Sequence, residues 1–277
     1  MAKIYMNKHP LFSKEQIRAG IFNRLTSFLR KSPDFMLIGS PKCGSTSLEY
    51  YITQHPNVAR LKRKELAYFD WEFANGYGWY LSFFPLKWDK RIAGDFSPSY
   101  LNQPTVVKKI KKRYPQMKFI ITLRNPIDRS FSDYNMHHRR GYDKLSFAEA
   151  IEQENNRLEG EIEKIITDKN YRSYNFNHYG YVQKGLYYDF IKNWFEFYPK
   201  ENFLIINFDE DFKDLPNLMN KIFNFLNLQP YDKINFEKQN VGKYENIDPI
   251  LRKKLYEHFK PYNEKLYSLL GRDFGWN

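Results

Sequence analysis

The stretch FMLIGSPKCGSTSLEYYITQHP, residues 35–56, decides the fold. An apolar run at 35–38 enters a loop with two glycines, and a helical pattern follows over 45–54. A loop between a strand and a helix presents backbone N–H groups at the helix N-terminus, where an anion can bind. The sequence therefore predicts a phosphate-binding loop at the end of a buried strand. A turn that only starts a helix is the alternative for this stretch alone.

The lysine of this loop is displaced from its usual place. Gly39 and Gly44 have the G-x-x-x-x-G spacing of a nucleotide P-loop, but Ser45 follows the second glycine and the lysine, Lys42, lies inside the loop. The strong strand that follows ends in Arg124 rather than in an aspartate, and Asp95 is a weak substitute for a magnesium-holding carboxylate. The loop therefore favours an anion held without a metal ion, as sulfuryl transfer would allow.

Strand-like and helix-like segments alternate along the rest of the chain. Apolar runs at 117–123 and 203–208 predict two more buried strands, and helices are predicted from 127, at 186–198, at 218–226 and at 250–270, the last broken near Pro261. Such alternation indicates an α/β fold with a central parallel sheet flanked by helices. We expect residues 1–277 to form a single domain.

Two segments stand apart from this pattern. Residues 1–33 form a predicted helical extension. Its apolar stripe, which we expect to pack on the domain, consists of Ile17, Ile21, Leu25, Phe28 and Leu29; a membrane-surface helix is the alternative. Residues 142–181 are polar and form an excursion from the sheet. We expect this excursion to shape an acceptor pocket, although a surface insertion without such a role fits the sequence as well.

Composition narrows the classes of protein. The 277 residues carry a formal net charge of +12, which suits an anionic partner. The single cysteine, Cys43, excludes an internal disulfide and favours a cytoplasmic location. The sequence contains no run of about 18 apolar residues, so no transmembrane segment is predicted. No helix-turn-helix, zinc-finger or RNP pattern indicates a nucleic-acid partner.

A second anion site is predicted where the strand at 117–123 ends. Arg124 follows this strand, and Ser130 and Ser132 lie in the next helix. An arginine at the carboxyl end of a parallel strand, close to a hydroxyl, suits a phosphate dianion. A simple ion pair of Arg124 with a carboxylate is the alternative. With the first loop in the same sheet, the motif predicts two anchors for one bis-phosphate nucleotide.

Together these residues resemble the sulfotransferase superfamily that uses 3'-phosphoadenosine 5'-phosphosulfate (PAPS). The loop around Lys42 is similar to its 5'-phosphosulfate loop, and LRNPIDRSFSDY to its 3'-phosphate motif. The carbohydrate branch, with the heparan sulfate 3-O- and N-sulfotransferases, is the most similar. Its motifs resemble KELAYFD at 64–70, GWY at 78–80, DFSPSY at 95–100, GLY at 185–187 and the carboxyl-terminal FGW at 274–276. The similarity runs from about residue 35 to 277 and implies a P-loop-like sulfotransferase fold.

The resemblance also implies roles for individual residues. Lys42 stabilises the departing phosphate, and Glu65 is the general base. The other implied ligands of the nucleotide are Cys43, Gly44, Ser45, Thr46, Ser47, Arg124, Ser132, Tyr187, Gly242 and Lys243. Asp95 is expected to orient Lys42 or the acceptor. No metal ion is implied. The acceptor would be a glycan or a small hydroxylated molecule, sulfated on oxygen or nitrogen.

Departures from the family pattern leave the acceptor open. Phe96 stands where glycosaminoglycan-specific members carry a lysine, so recognition of a heparan-like chain is in doubt. His55, His137 and His138 are rival bases to Glu65. Two other functions compete with sulfuryl transfer: a P-loop kinase or NTPase, and a non-catalytic module that binds polyanions.

Overall fold

A computed structural model describes residues 23–168, 171–237 and 246–276. Its centre is a parallel sheet of five strands in the order β2-β3-β1-β4-β5. The strands are β1 (Phe35–Gly39), β2 (Val58–Ala59), β3 (Ile92–Phe96), β4 (Lys118–Leu123) and β5 (Phe203–Asn207). The α/β fold with a central parallel sheet is therefore confirmed.

Helices occupy most of the connections. They are α1 (Ser45–Ile52), α2 (Tyr77–Leu81), α3 (Val106–Arg113), α4 (Pro126–Arg139), α5 (Phe147–Glu152), α6 (Glu154–Leu158), α7 (Glu161–Thr167), α8 (Tyr174–Tyr179), α9 (Tyr187–Phe195), α10 (Phe208–Asp211), α11 (Leu215–Phe225) and α12 (Pro249–Leu270). Short 3₁₀ turns lie at Ser27–Leu29, Phe73–Asn75, Pro98–Asn102, Gln183–Gly185 and Lys200–Asn202. The excursion predicted at 142–181 contains α5 to α8.

Both faces of the sheet are covered by apolar clusters, and the side chains of β1 alternate between the two. Met36 and Ile38 pack with Phe119 of β4 and Trp194 of α9 on one face. Phe35 and Leu37 pack on the other face, with Leu48 and Ile52 of α1 and with Leu218 and Ile222 of α11. The burial of both faces explains why β1, β4 and β5 read as apolar runs in the sequence.

The long carboxyl-terminal helix corrects one expectation. A break near Pro261 was predicted, but α12 continues through this residue. Pro261 lies on the exposed face, where water can satisfy the carbonyl group that loses its backbone partner. Leu255, Phe259 and Leu266 are buried on the opposite face. Packing of this apolar stripe outweighs the local cost of the proline.

The amino-terminal stripe differs from expectation where the structure describes it. Leu25 and Phe28 are 72% and 67% exposed, so the packing predicted for these two side chains is wrong. Ile17 and Ile21 lie outside the described residues, as do Gly242 and Lys243, the two nucleotide ligands implied for a late loop. Over the described ranges, no helix is both long enough and apolar enough to cross a membrane.

Candidate active site

The phosphate loop joins β1 to α1 at the carboxyl edge of the sheet. Its backbone takes the left-handed conformation twice, at Lys42 with φ 71° and at Gly44 with φ 83°. A Cβ atom on Gly44 would lie 2.7 Å from Phe212 and 2.8 Å from Phe208, so only glycine fits this position. Ser45 then begins α1 with its backbone N–H groups directed toward the loop. The predicted strand, loop and helix are thus present.

Lys42 makes no ion pair with any residue in the described ranges. Its Nζ lies 3.7 Å from the thioether sulfur of Met136 on α4, which is a weak acceptor. Among the described residues, no carboxylate lies within 4.0 Å of this ammonium. The lysine is therefore available to an incoming anion. Thr46 and Ser47 are half-buried in the first turn of α1, beside the same loop.

Cys43 and Tyr187 support the loop from inside. Cys43 is fully buried, and burial raises the pKa of its thiol to about 11. Its Sγ lies 3.9 Å from the Tyr187 hydroxyl, which donates a hydrogen bond to the backbone oxygen of Arg124 at 2.9 Å. Tyr187 therefore ties the first loop to the end of β4. Because the Cys43 side chain is fully buried, only its backbone could contact a ligand in the loop.

Arg124 has an unused donor. Its Nε is buried and makes no hydrogen bond within the described structure, and Asp209 Oδ1 lies 3.9 Å away. The guanidinium carbon lies 5.2 Å from the ring centre of Phe208. Ser132, two turns along α4, is almost fully buried. A planar arginine with a free donor at a strand end fits a phosphate dianion.

Glu65 lies on a loop with a strained backbone. Glu65 and Ala67 have φ values of 46° and 49°, which non-glycine residues seldom adopt. The Ala67 N–H donates to Ser97 Oγ at 3.0 Å, and Ser97 Oγ donates to Asp95 Oδ1 at 2.6 Å. Asp95 is fully buried and also accepts hydrogen bonds from the hydroxyls of Tyr80 and Tyr100. Asp95 therefore positions the loop that carries Glu65.

Positively charged side chains surround the Glu65 carboxyl. Solvent reaches this side chain, yet the surrounding protein still removes enough water to raise its pKa. The positive charges of Arg140, Lys64 and Lys42 lower the pKa and offset part of this effect. The carboxylate of Glu65 and the ammonium of Lys42 are thus close enough to act on each other electrostatically.

Some groups near the site were not predicted from the sequence. Glu49 of α1 is buried, and burial raises its pKa, as the neighbouring charge of Glu65 also does. Glu49 lies one helical turn after Ser45, and this i, i+4 spacing was the signal that could have found it. Asp70 accepts a hydrogen bond from Ser99 at 2.5 Å, and burial raises its pKa to about 7.

A cavity of about 120 Å³ adjoins the phosphate loop. Its walls include Pro41, Met136, Gln103 and two residues of the excursion, Phe176 and Asn177. The floor is a buried ion cluster, in which Asp133 pairs with Lys184 at 2.6 Å, Arg129 at 3.2 Å and His137 at 3.5 Å. The cavity therefore connects the surroundings of Lys42 with the excursion.

The rival histidines are held by protein groups. His55 is buried, and its ring nitrogens lie 3.0 Å from the Gln229 oxygen and 3.1 Å from the Asn57 nitrogen. His137 pairs with Asp133, and the His138 Nδ1 lies 3.3 Å from the Tyr134 hydroxyl. Each imidazole thus has a structural partner. Within the described ranges, no cluster of three or more His, Cys, Asp or Glu side chains could hold a metal ion.

Comparison with known proteins agrees with this arrangement. The family profile described as "Sulfotransferase domain" matches residues 32–266. The chain belongs to the sulfotransferase domain family. A solved sulfotransferase from Alicyclobacillus acidocaldarius is 26% identical, with a TM-score of 0.73 over 88% of this chain and 97% of that one.

The names of two relatives in this family differ: one refers to a membrane and the other to heparan sulfate. The membrane-associated sulfotransferase kil1 of Dictyostelium discoideum is 26% identical over 88% of the chain, which spans 66% of that relative, just under two thirds. The human heparan sulfate glucosamine 3-O-sulfotransferase 5 is 27% identical over 95% of the chain and 78% of the relative. The resemblance to the carbohydrate branch is confirmed at this level.

We expect Arg124→Ala to weaken binding of adenosine 3',5'-bisphosphate by about 1.5–3 kcal/mol, because charge-assisted hydrogen bonds to a phosphate are lost. Calorimetric titration measures the dissociation constant directly. Arg113→Ala is the matched control, since this exposed arginine lies at the end of α3, which precedes β4. Unchanged affinity in the Arg124 variant would assign this arginine to the ion pair with Asp209 alone.

Proposed function

We propose that this sulfotransferase moves a sulfuryl group from PAPS to a hydroxyl or amine of a carbohydrate or a small hydroxylated acceptor. The observation that carries the proposal is that the Lys42 ammonium, which has no carboxylate within 4.0 Å among the described residues, still acts electrostatically on the Glu65 carboxyl, whose pKa is raised. The first can stabilise a departing phosphate, and the second can accept the proton of the acceptor.

The residues present fit the two phosphates of the donor. The backbone of Gly44, Ser45 and Thr46 at the start of α1 would hold the 5'-phosphate, and Arg124 with Ser132 the 3'-phosphate. The unsatisfied Nε of Arg124 supports this, because a buried donor without a partner is costly unless a ligand takes its hydrogen bond. PAPS supplies a sulfuryl group attached to a good leaving group.

Each catalytic side chain has one task in this scheme. Glu65 takes the proton from the attacking hydroxyl, while Lys42 neutralises the charge that develops on the leaving phosphate. Displacement is in line, so the two side chains act on opposite sides of the sulfur. Asp95 acts through Ser97, by fixing the backbone of the loop at Ala67. Asp95 is therefore a positioning residue.

The acceptor site that we propose is the cavity beside the phosphate loop. Gln103 and Asn177 bring amide groups to its wall, and such groups suit hydroxylated molecules. The cavity also touches Met136, the neighbour of Lys42, and thus begins next to the reacting centre. The names of the heparan sulfate relatives support a glycan, whereas Phe96 in place of a lysine favours an acceptor with fewer negative charges.

Nucleotide preference tests this proposal against a kinase and against a polyanion-binding module. We expect adenosine 3',5'-bisphosphate to raise the melting temperature by several degrees, since a ligand at 100 times its dissociation constant adds about 2.7 kcal/mol. ATP with magnesium should give a much smaller shift, and a chelator should not change the effect of the bisphosphate. A screen of acceptors with labelled PAPS, run in chelator and detected by mass, then identifies the product.

The opposite result would support a kinase. Stabilisation by ATP that is equal to that by the bisphosphate, and that disappears in chelator, would overturn the proposal. Salt-sensitive binding of polyanions without any turnover of PAPS would favour the binding module.

A further inference from the structure

An exposed apolar surface lies where the described chain begins. We define the amino-edge patch as Leu25, Phe28, Leu29 and Trp88, whose exposed fractions are 72%, 67%, 36% and 67%. The Lys87 N–H donates to the Leu29 oxygen at 2.9 Å, and Arg30 pairs with Leu86 in an antiparallel bridge. Phe28 and Trp88 are the chain neighbours of the two residues that form this hydrogen bond. The four exposed apolar side chains therefore come from two backbone segments that are hydrogen-bonded to each other.

This patch lies at the opposite edge of the sheet from the site. The segment with Leu29 leads directly into β1, and the turn with Trp88 leads directly into β3. Because parallel strands begin at the same edge, both segments lie at the amino edge, while the phosphate loop lies at the carboxyl edge. A surface that covered the amino-edge patch would leave Lys42 and the phosphate loop accessible.

The charge around the patch is positive. Lys87 and Lys90 are exposed, and in the described ranges neither has a carboxylate within 4.0 Å. The two carboxylates that precede β1 and β3 are already paired, Asp34 with Lys31 at 3.1 Å and Asp89 with Arg91 at 2.7 Å. The patch therefore presents a net positive rim to a partner, in line with the net charge of +12.

We propose that the amino-edge patch docks on an anionic lipid surface. Tryptophan and phenylalanine insert at the boundary between headgroups and acyl chains, and lysines beside them contact the anionic headgroups. A protein partner fits this composition less well, because lysines are depleted in protein–protein interfaces. The proposal does not depend on the sulfuryl transfer proposed above, since these residues lie at the opposite edge of the sheet from the phosphate loop.

Flotation with lipid vesicles tests this proposal on the full chain. We expect the protein to float with vesicles of phosphatidylcholine that contain phosphatidylserine, and much less with phosphatidylcholine alone or at high salt. The double variant Phe28→Ser, Trp88→Ser should bind vesicles at least about tenfold more weakly, because it loses the inserted aromatic rings. The variant Lys87→Glu, Lys90→Glu should lose the preference for phosphatidylserine.

Two controls keep the result interpretable. Ile250→Ser removes an apolar side chain that is 81% exposed on α12 and should leave vesicle binding unchanged. All variants should show the wild-type melting temperature with and without adenosine 3',5'-bisphosphate, which separates lost docking from lost folding. Failure of the wild-type protein to bind phosphatidylserine vesicles would overturn the proposal. A dimer that dissociates in the Phe28, Trp88 variant would also overturn it and would assign the patch to a second copy of the chain.

Discussion

Lys42→Ala is expected to lower the turnover number about 10²–10³-fold, the usual effect of removing one group that stabilises charge in a transition state. The charge on the leaving phosphate grows as the bond to sulfur breaks, so the ammonium interacts more strongly with the transition state than with the bound donor. The structure makes this lysine available, because the Met136 sulfur is the only hydrogen-bond partner of its ammonium within the described residues. Steady-state kinetics with labelled PAPS measures the effect.

Affinity for the nucleotide should change far less in the same variant. In the proposed arrangement, Arg124 and the start of α1 hold most of adenosine 3',5'-bisphosphate, so a modest loss is expected. Lys112→Ala, an exposed lysine near the end of α3, is the matched control and should retain wild-type turnover. Normal turnover of Lys42→Ala would mean that the loop binds no sulfuryl donor in the way proposed.

The sheet could be predicted only in part from the sequence. The three runs that form β1, β4 and β5 are apolar because both faces of each strand are buried, and their boundaries agree within one or two residues. β3 was missed because Gly94 and Asp95 have low strand propensity. Tertiary contacts explain both residues: a Cβ atom on Gly94 would lie 2.3 Å from the ring of Phe35, and three hydroxyls satisfy the carboxylate of Asp95.

The sequence indicated the candidate site through motifs in a characteristic order, not through contacts between side chains. The loop around Lys42 and the segment with Glu65 were recognisable, because their spacing and residue types resemble those of a family. The buried cluster of Asp133, Lys184 and Arg129 was not, because Lys184 meets Asp133 only after α4 packs against the turn at Gln183–Gly185. The cavity above this cluster depends on the same packing.

Glu65→Gln is expected to keep the fold and the nucleotide affinity and to lower turnover about 10²–10⁴-fold, the usual contribution of a positioned base. Glutamine keeps the size of the side chain and can hydrogen-bond to the acceptor, but it cannot accept the proton. The left-handed backbone at Glu65 is retained through the bonds from Ala67 to Ser97 and from Ser97 to Asp95, which the substitution does not touch. The comparison therefore isolates basicity.

The dependence of turnover on pH gives this test a second measurement. A base must be ionised, so turnover should fall as the pH drops through the pKa of Glu65, which the loss of water to the surrounding protein raises. This acid limb should disappear in Glu65→Gln. Glu49→Gln is the matched control, because Glu49 is a neighbouring carboxyl that is buried on α1; it should keep the limb and lose less than about tenfold in turnover. If Glu49→Gln instead removes the limb and Glu65→Gln leaves it in place, the base is Glu49, and the loop that Asp95 and Ser97 support has another purpose.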